Sequence, residues 1–311
     1  MDNRLKKTME SPNLWFVAAT VGTLFFFSSL IPMIISPVFL VLTTWKYGHR
    51  MGLAVAALST FSVLFLFNLP VAAFFFTQFV MVGILLGDGL RRKTPPLNLL
   101  LTTTLISTLL VMAAGAGYLY HGPVPFSEMI QQGGEAVKLA FEESVKRLHP
   151  DPEELARYRE SMIAMLSFVK NAFPALLFIN AFSIVYLSLL IPLNYADRLG
   201  LDRSHIPPLK ETSIPFAWVW GLILSGMVYL FHVPYLKWVG LNVALIFLLA
   251  YLMQGYAILS FYLNKTRLPG IFKGVLYITC LINISLMIAL CAVGLFDTWF
   301  NFRKRFPVPR V

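Results

Sequence analysis

The sequence predicts an all-α fold, a polytopic transmembrane helix bundle of eight or nine spans with an external amphipathic helical hairpin. Three observations predict it. The 311 residues are 58% hydrophobic and only 13% charged, against about 45–50% apolar and about 25% charged in soluble domains. Apolar runs close to the length of a membrane crossing, roughly 17–25 residues, recur along the chain. The net charge of +10 sits in short basic clusters between those runs, the pattern of retained cytoplasmic loops. No basic, aromatic-interleaved soluble domain is present, which argues against nucleic acid as a partner and leaves membrane lipid.

The first run, 14–31, follows Arg4, Lys6 and Lys7. It is longer than the apolar region of a secretory signal and no A-x-A site follows, so it reads as a retained helix with a cytoplasmic N-terminus. The second, 33–45, is short and carries Pro37, which predicts a broken or tilted element. Runs 50–67, 70–90 and 97–119 follow, with Arg91, Arg92 and Lys93 marking a cytoplasmic loop. Segment 120–164 then falls outside. It holds eight acidic residues and five bases, as the positive-inside rule asks of an external loop. Within it, Ile130, Val137, Phe141, Val145 and Leu148 recur at helical spacing. Asp151 is placed to cap a second helix, with Pro152 at its first position and Glu153 and Glu154 in its first turn. That helix runs towards span 165–191, with Pro174 as a potential kink.

Three further runs, 214–231, 236–263 and 271–296, complete the set. The tryptophans Trp15, Trp45, Trp218, Trp220, Trp238 and Trp299 fall near run ends, where an amphipathic ring suits the headgroup layer. Charge places 197–211, Lys265, Arg267 and Lys273 in the cytoplasm. If 271–296 then crosses once more, Arg303, Lys304 and Arg305 end outside and the rule breaks. Either the rule fails at this helix, or one of the last three segments does not cross. In both cases Asp297, Trp299, Arg303, Lys304 and Arg305 read as an interfacial anchor.

Polar side chains inside spans need partners in hydrocarbon. Asn68, Gln78, Asn171, Asn180, Asn194, Gln254 and Asn283 qualify. All but Asn194 are taken as candidate ligand-binding residues, with interhelical packing as the alternative for each. Asn171 and Asn180 lie nine positions apart and face opposite ways on an ideal helix. Small residues four apart permit close helix approach, which marks Ala18 with Gly22, Gly83 with Gly87, and Gly221 with Ser225. Asp88 stands beside Arg91 and Arg92, a local ion pair.

No catalytic set emerges. The five histidines are scattered, and none forms HExxH. Leu224-Ser225-Gly226 resembles a membrane-protease nucleophile, but no histidine lies in a later span to activate it. Gly87-Asp88-Gly89 lacks a second aspartate, and no P-loop exists. Cys280 and Cys291 lie 11 residues apart in one run, about 16 Å along a helix, too far for a disulfide. The expectation is a non-enzymatic protein with no cofactor and no metal.

Gln254-Gly255 near the end of a long span, the asparagine-bearing last helix, the ending GLFDTWFNFRKRF and the early Pro-rich helix pair carry a resemblance. Together they resemble the YybS-like family of predicted bacterial membrane proteins, a domain of unknown function. That family is in turn distantly similar to the substrate-binding subunits of energy-coupling-factor vitamin transporters. The resemblance implies a six-span bundle over 1–191, including the external hairpin 120–164, and additional spans with a basic tail over 192–311. It implies a bacterial inner membrane location and a small solute bound from the outer side beneath the hairpin. It also implies a transmembrane coupling subunit with ATPases as partners, docked at Ala18 and Gly22. The reading of a different class is a scaffold or assembly factor for envelope proteins.

Overall fold

The computed structural model describes residues 11–29, 32–121, 126–146, 151–202, 214–231 and 233–305. Arg4, Lys6 and Lys7, which carry the expected orientation of the N-terminus, lie outside them, as do Leu148 and most of 197–211. Among the described residues the chain is helical without strands.

The helices are α1 (Pro12–Ser28), α2 (Pro37–Tyr47), α3 (His49–Leu66), α4 (Leu69–Phe75), α5 (Met81–Arg91), α6 (Pro96–His121), α7 (Phe126–Lys146), α8 (Pro152–Tyr195), α9 (Ala217–Leu230), α10 (Pro234–Lys265), α11 (Gly270–Ile282), α12 (Ile284–Phe300) and α13 (Phe302–Arg305). A 3-10 turn, Pro32–Ile35, precedes α2, so the segment with Pro37 is indeed broken. A π-turn, Phe76–Val80, joins α4 to α5.

Among the described residues, five stretches are long and apolar enough to cross a membrane: His49–Leu66, Leu69–Arg91, Pro96–Tyr118, Glu153–Tyr195 and Pro234–Lys265. A sixth is obtained if α11 and α12 count as one span. This is fewer than the expected eight or nine, for two physical reasons. Pro12–Ser28, Met33–Tyr47 and Ala217–Leu230 are apolar but shorter than 18 residues. The run 271–296 is two helices bent by 97° at Asn283.

The chain forms two compact units. Unit 1 comprises Met1–Phe168 and Asn180–Ile206. Here α2 is the central helix, antiparallel to α1 and α3 and parallel to α5. The Trp15 indole donates to Thr43 Oγ1 at 2.9 Å, and Ser36 Oγ donates to the Thr23 carbonyl at 2.9 Å. Trp15 and Trp45 are both buried within the bundle. Gly83 and Gly87 of α5 face α2, where a Cβ would meet Leu40 and Thr44 and, at 2.8 Å from Gly87, the Val41 carbonyl. Phe27, Phe75 and Phe79 close the core, with Phe27 edge-on to Phe75 at 4.6 Å. Gly48 turns α2 into α3 at φ +93°, a conformation that disfavours a Cβ.

The hairpin of α7 and α8, expected to be external, belongs to unit 1. Asp151 caps α8 as expected, accepting from the Glu154 N–H at 2.8 Å, and Glu142 of α7 meets Arg159 of α8 at 3.6 Å. Helix α8 then runs unbroken through Pro174 for 44 residues, so the hairpin helix and span 165–191 are one element.

Unit 2 comprises Val169–Ile179 of α8 with Pro207–Val311. Helices α9 and α10 are antiparallel and touch closely, since a Cβ on Gly240 would meet the Tyr229 and Ser225 backbones. Helices α10 and α12 run parallel and cross on Gly255 and Gly294.

Candidate functional site

The first site lies in unit 1 at the π-turn. Widening a helix by one residue shifts the side chains that follow and recurs at functional positions. Here it carries Gln78, which is 2% exposed, and its Oε1 has no protein hydrogen-bond partner among the described residues. Neighbouring Thr77 donates to the Ala73 carbonyl at 2.9 Å, and its own carbonyl accepts from Ser107 of α6 at 3.4 Å. The facing stripe of α6 is hydroxyl-rich, with Thr103, Thr104, Ser107 and Thr108 all buried. The hydroxyls of Thr44, Ser59 and Ser188 in the same unit are also buried and unpartnered. A buried polar atom without a partner costs about 1–3 kcal/mol.

The second site is an amide bridge in unit 2. Pro174 has no N–H and its ring pushes on the preceding turn. At that turn the Asn242 carboxamide of α10 inserts. Its Oδ1 accepts from the Ala175 N–H at 2.9 Å, and its Nδ2 donates to the Asn171 carbonyl at 2.9 Å. These two backbone groups are the i and i−4 partners of an ordinary helix, so one side chain spans the gap between them. The second Nδ2 proton goes to the Trp238 carbonyl at 2.9 Å.

The third site is a buried carboxylate. Asp297 and Arg303 have side chains only 5% and 15% exposed and meet at 3.3 Å. The same Oδ2 accepts from Gln254 Nε2 at 3.0 Å, and Oδ1 accepts from the Phe302 N–H at 2.7 Å. Gln254 Oε1 accepts from the Ile214 N–H at 3.3 Å. Asn301 takes a left-handed conformation at φ +46° and returns its N–H to the Asp297 carbonyl. The Tyr262 hydroxyl donates to the Phe302 carbonyl at 2.9 Å. Charge-assisted bonds of this kind are about twice as strong as neutral ones.

These arrangements sort the sequence candidates. Asn68 caps α4, accepting from the Val71 N–H at 3.0 Å, and Asn283 caps α12, accepting from the Leu286 N–H at 3.1 Å. Gln254 is held by Asp297, so a residue expected to bind ligand and one expected to anchor the tail form one cluster. Asn171 contributes its backbone carbonyl to the Asn242 bridge, and its side chain is exposed, as is that of Asn180. Only Gln78 keeps a buried acceptor without a partner among these six. Gly83 and Gly87 pack on α2, and a Cβ on Gly22 would meet the Phe39 ring at 2.8 Å. Ala18 is exposed. Trp299 is half-exposed and edge-on to Phe216 at 6.0 Å. Lys304 and Arg305 follow in α13. Asp88 pairs with Arg92 at 2.7 Å. The Ser225 hydroxyl donates to the Leu222 carbonyl at 2.9 Å. Among the described residues no cluster of three His, Cys, Asp or Glu could hold a metal.

Asn242 and Tyr262 are absent from the sequence candidates. Asn242 carried a signal, an amide in the longest apolar run, yet its partners lie 67 and 71 residues away.

No curated protein and no solved structure matches the chain. Residues 14–298 match the model of a family described as predicted membrane protein (DUF2232), from the first apolar helix to the residue beyond Asp297. The chain thus belongs to the DUF2232 family of predicted membrane proteins.

Proposed function

We propose that the protein is a non-enzymatic subunit of a bacterial inner membrane that binds a small polar solute in unit 1 and takes energy from another protein. The observation that carries this is Gln78, a buried amide oxygen left unpaired in a π-turn. Its cost in hydrocarbon is offset when a solute donor pairs with it. The unpartnered hydroxyls of Thr44, Ser59 and Ser188 supply further polar capacity in the same unit.

The partner reading is a transmembrane coupling subunit with its ATPases. On α1 only the Ala18 side is open to such a partner, because the Gly22 position is closed by Phe39. The basic N-terminus is cytoplasmic in this reading, by the positive-inside rule. The three shorter apolar helices also cross, which raises the five long spans to eight. A 17-residue helix is about 25 Å long, a shortfall that local bilayer thinning accommodates.

The test is purification from native membranes in mild detergent, with mass spectrometry of bound small molecules and copurifying proteins. The expected result is a retained polar metabolite that is lost in Gln78→Leu, together with a coupling subunit. A protein that carries no small molecule and no coupling partner would end this reading. Recovery with envelope proteins alone would move it to a scaffold.

A further inference from the structure

We infer that α11 and α12 form a re-entrant pair, so that the C-terminal basic tail lies on the same, cytoplasmic, face of the membrane as Lys265 and Arg267. The inference holds whether or not unit 1 binds a solute.

The contacts along α10 define the path. At its C-terminal end, Lys273 in the first turn of α11 donates to the Thr266 carbonyl at 3.3 Å. Further back along α10, Tyr256 meets Tyr277 of α11 with ring centroids 6.4 Å apart. Helix α11 therefore leads from the C-terminal end of α10 back beside its middle. At Asn283 the chain turns by 97°, and from there it advances in the same direction as α10. The contacts of α12 with α10 rise together in number. Cys291 Sγ reaches the Leu248 carbonyl at 3.4 Å, Asp297 meets Gln254 at 3.0 Å, and the Phe302 carbonyl meets Tyr262 at 2.9 Å. The tail thus emerges beside Tyr262, three residues before Lys265. A single crossing by 271–296 would put those two ends on opposite faces.

Asn283 makes the reversal tolerable in hydrocarbon. Its N–H donates to the Thr279 carbonyl at 3.0 Å and its side chain caps α12, which supplies partners that lipid cannot. No residue of α11 is buried by the protein, and Ile271, Ile278 and Ile282 are among its exposed apolar side chains. A lipid-facing helix accounts for that surface.

Charge then selects the face. Between 255 and 305 the bases are Lys265, Arg267, Lys273, Arg303, Lys304 and Arg305, and the one acid is Asp297, buried against Arg303. With the last pair re-entrant, the eight crossings proposed above return the C-terminus to the side of the N-terminus. The basic clusters at 46–50, 91–93, 265–273 and 303–305 then all fall inside, and the positive-inside rule holds to the end of the chain.

The experiment places single cysteines in the full chain, Arg267→Cys and Lys304→Cys, on a Cys280→Ala, Cys291→Ala background. Cells expressing each are treated with a membrane-impermeant maleimide before and after permeabilisation. Both positions are expected to be silent in intact cells and to label after permeabilisation. Labelling of either position in intact cells overturns the inference. Should the cysteine variants fail to accumulate, the wild-type chain fused at its C-terminus to green fluorescent protein or alkaline phosphatase reads the same property. Fluorescence supports the cytoplasmic tail, and phosphatase activity overturns it.

Discussion

Two parallel helix pairs, α2 with α5 in unit 1 and α10 with α12 in unit 2, both close on glycine, but in different ways. In unit 1 both glycines, Gly83 and Gly87, sit on one helix and meet mainly the side chains of the other. In unit 2 each helix contributes one glycine and each faces backbone. A Cβ on Gly255 would meet the Leu290 carbonyl, and one on Gly294 would meet the Tyr251 carbonyl and the Gly255 nitrogen. The first is a groove that accepts side chains. The second is a backbone crossing, tightened by a buried carboxylate at its end. No rotamer change relieves either clash, since the nearest atoms in unit 1 are the Cβ atoms of Leu40 and Thr44, but the approach in unit 2 is the closer and is made by backbone carbonyls. The tail in unit 2 is therefore held more stringently than the core contact in unit 1.

The largest expected effect comes from removing the buried carboxylate of unit 2. Asp297→Ala removes the carboxylate that pairs with the buried Arg303, a loss of about 3–5 kcal/mol, read as a lower thermal midpoint in detergent. The double variant Asp297→Ala, Arg303→Leu should recover part of that loss, and no recovery would separate the two residues. Next come the glycines. Gly255→Ala or Gly294→Ala should cost more than Gly83→Ala in the same assay, within the overpacking range of about 1–3 kcal/mol or above it. Equal costs would erase the distinction between groove and crossing. Asn242→Leu should cost about 1–3 kcal/mol through the Asn171 carbonyl and Ala175 N–H that it now pairs, with faster amide exchange around Pro174. An unchanged exchange rate there would remove the bridge from the account. The smallest effect is Gly115→Ala. A Cβ there meets nothing within 4 Å, so the helix gains up to about 1 kcal/mol from propensity.

The same contrast separates what the sequence made legible from what it did not. The Gly83–Gly87 spacing lies within one helix, so periodicity alone identifies it. The Asp151 cap is local too, and the sequence places it correctly with Pro152 and the two glutamates. The crossing of α10 and α12 joins glycines on different helices, and no spacing rule connects them. Gln254 and Asp297 each stood out as polar groups in apolar surroundings, but their contact spans 43 residues. The break at Asn283 escaped because run length was measured by apolarity, and an asparagine with a capping role does not interrupt an apolar average. The inward packing of Trp15 and Trp45 escaped for a related reason. Position near the end of a run cannot distinguish a headgroup ring from one that turns inward to bond Thr43.

The most direct test of this account is a distance between the ends of α10 and α12. Spin labels at Asn264→Cys and Trp299→Cys, both at exposed positions, on the Cys280→Ala, Cys291→Ala background, would be measured by pulsed electron paramagnetic resonance in nanodiscs. Parallel helices held by Asp297 predict a separation well below the roughly 30 Å thickness of a hydrocarbon core. A separation at or above that thickness would put the last helix across the membrane and contradict the account.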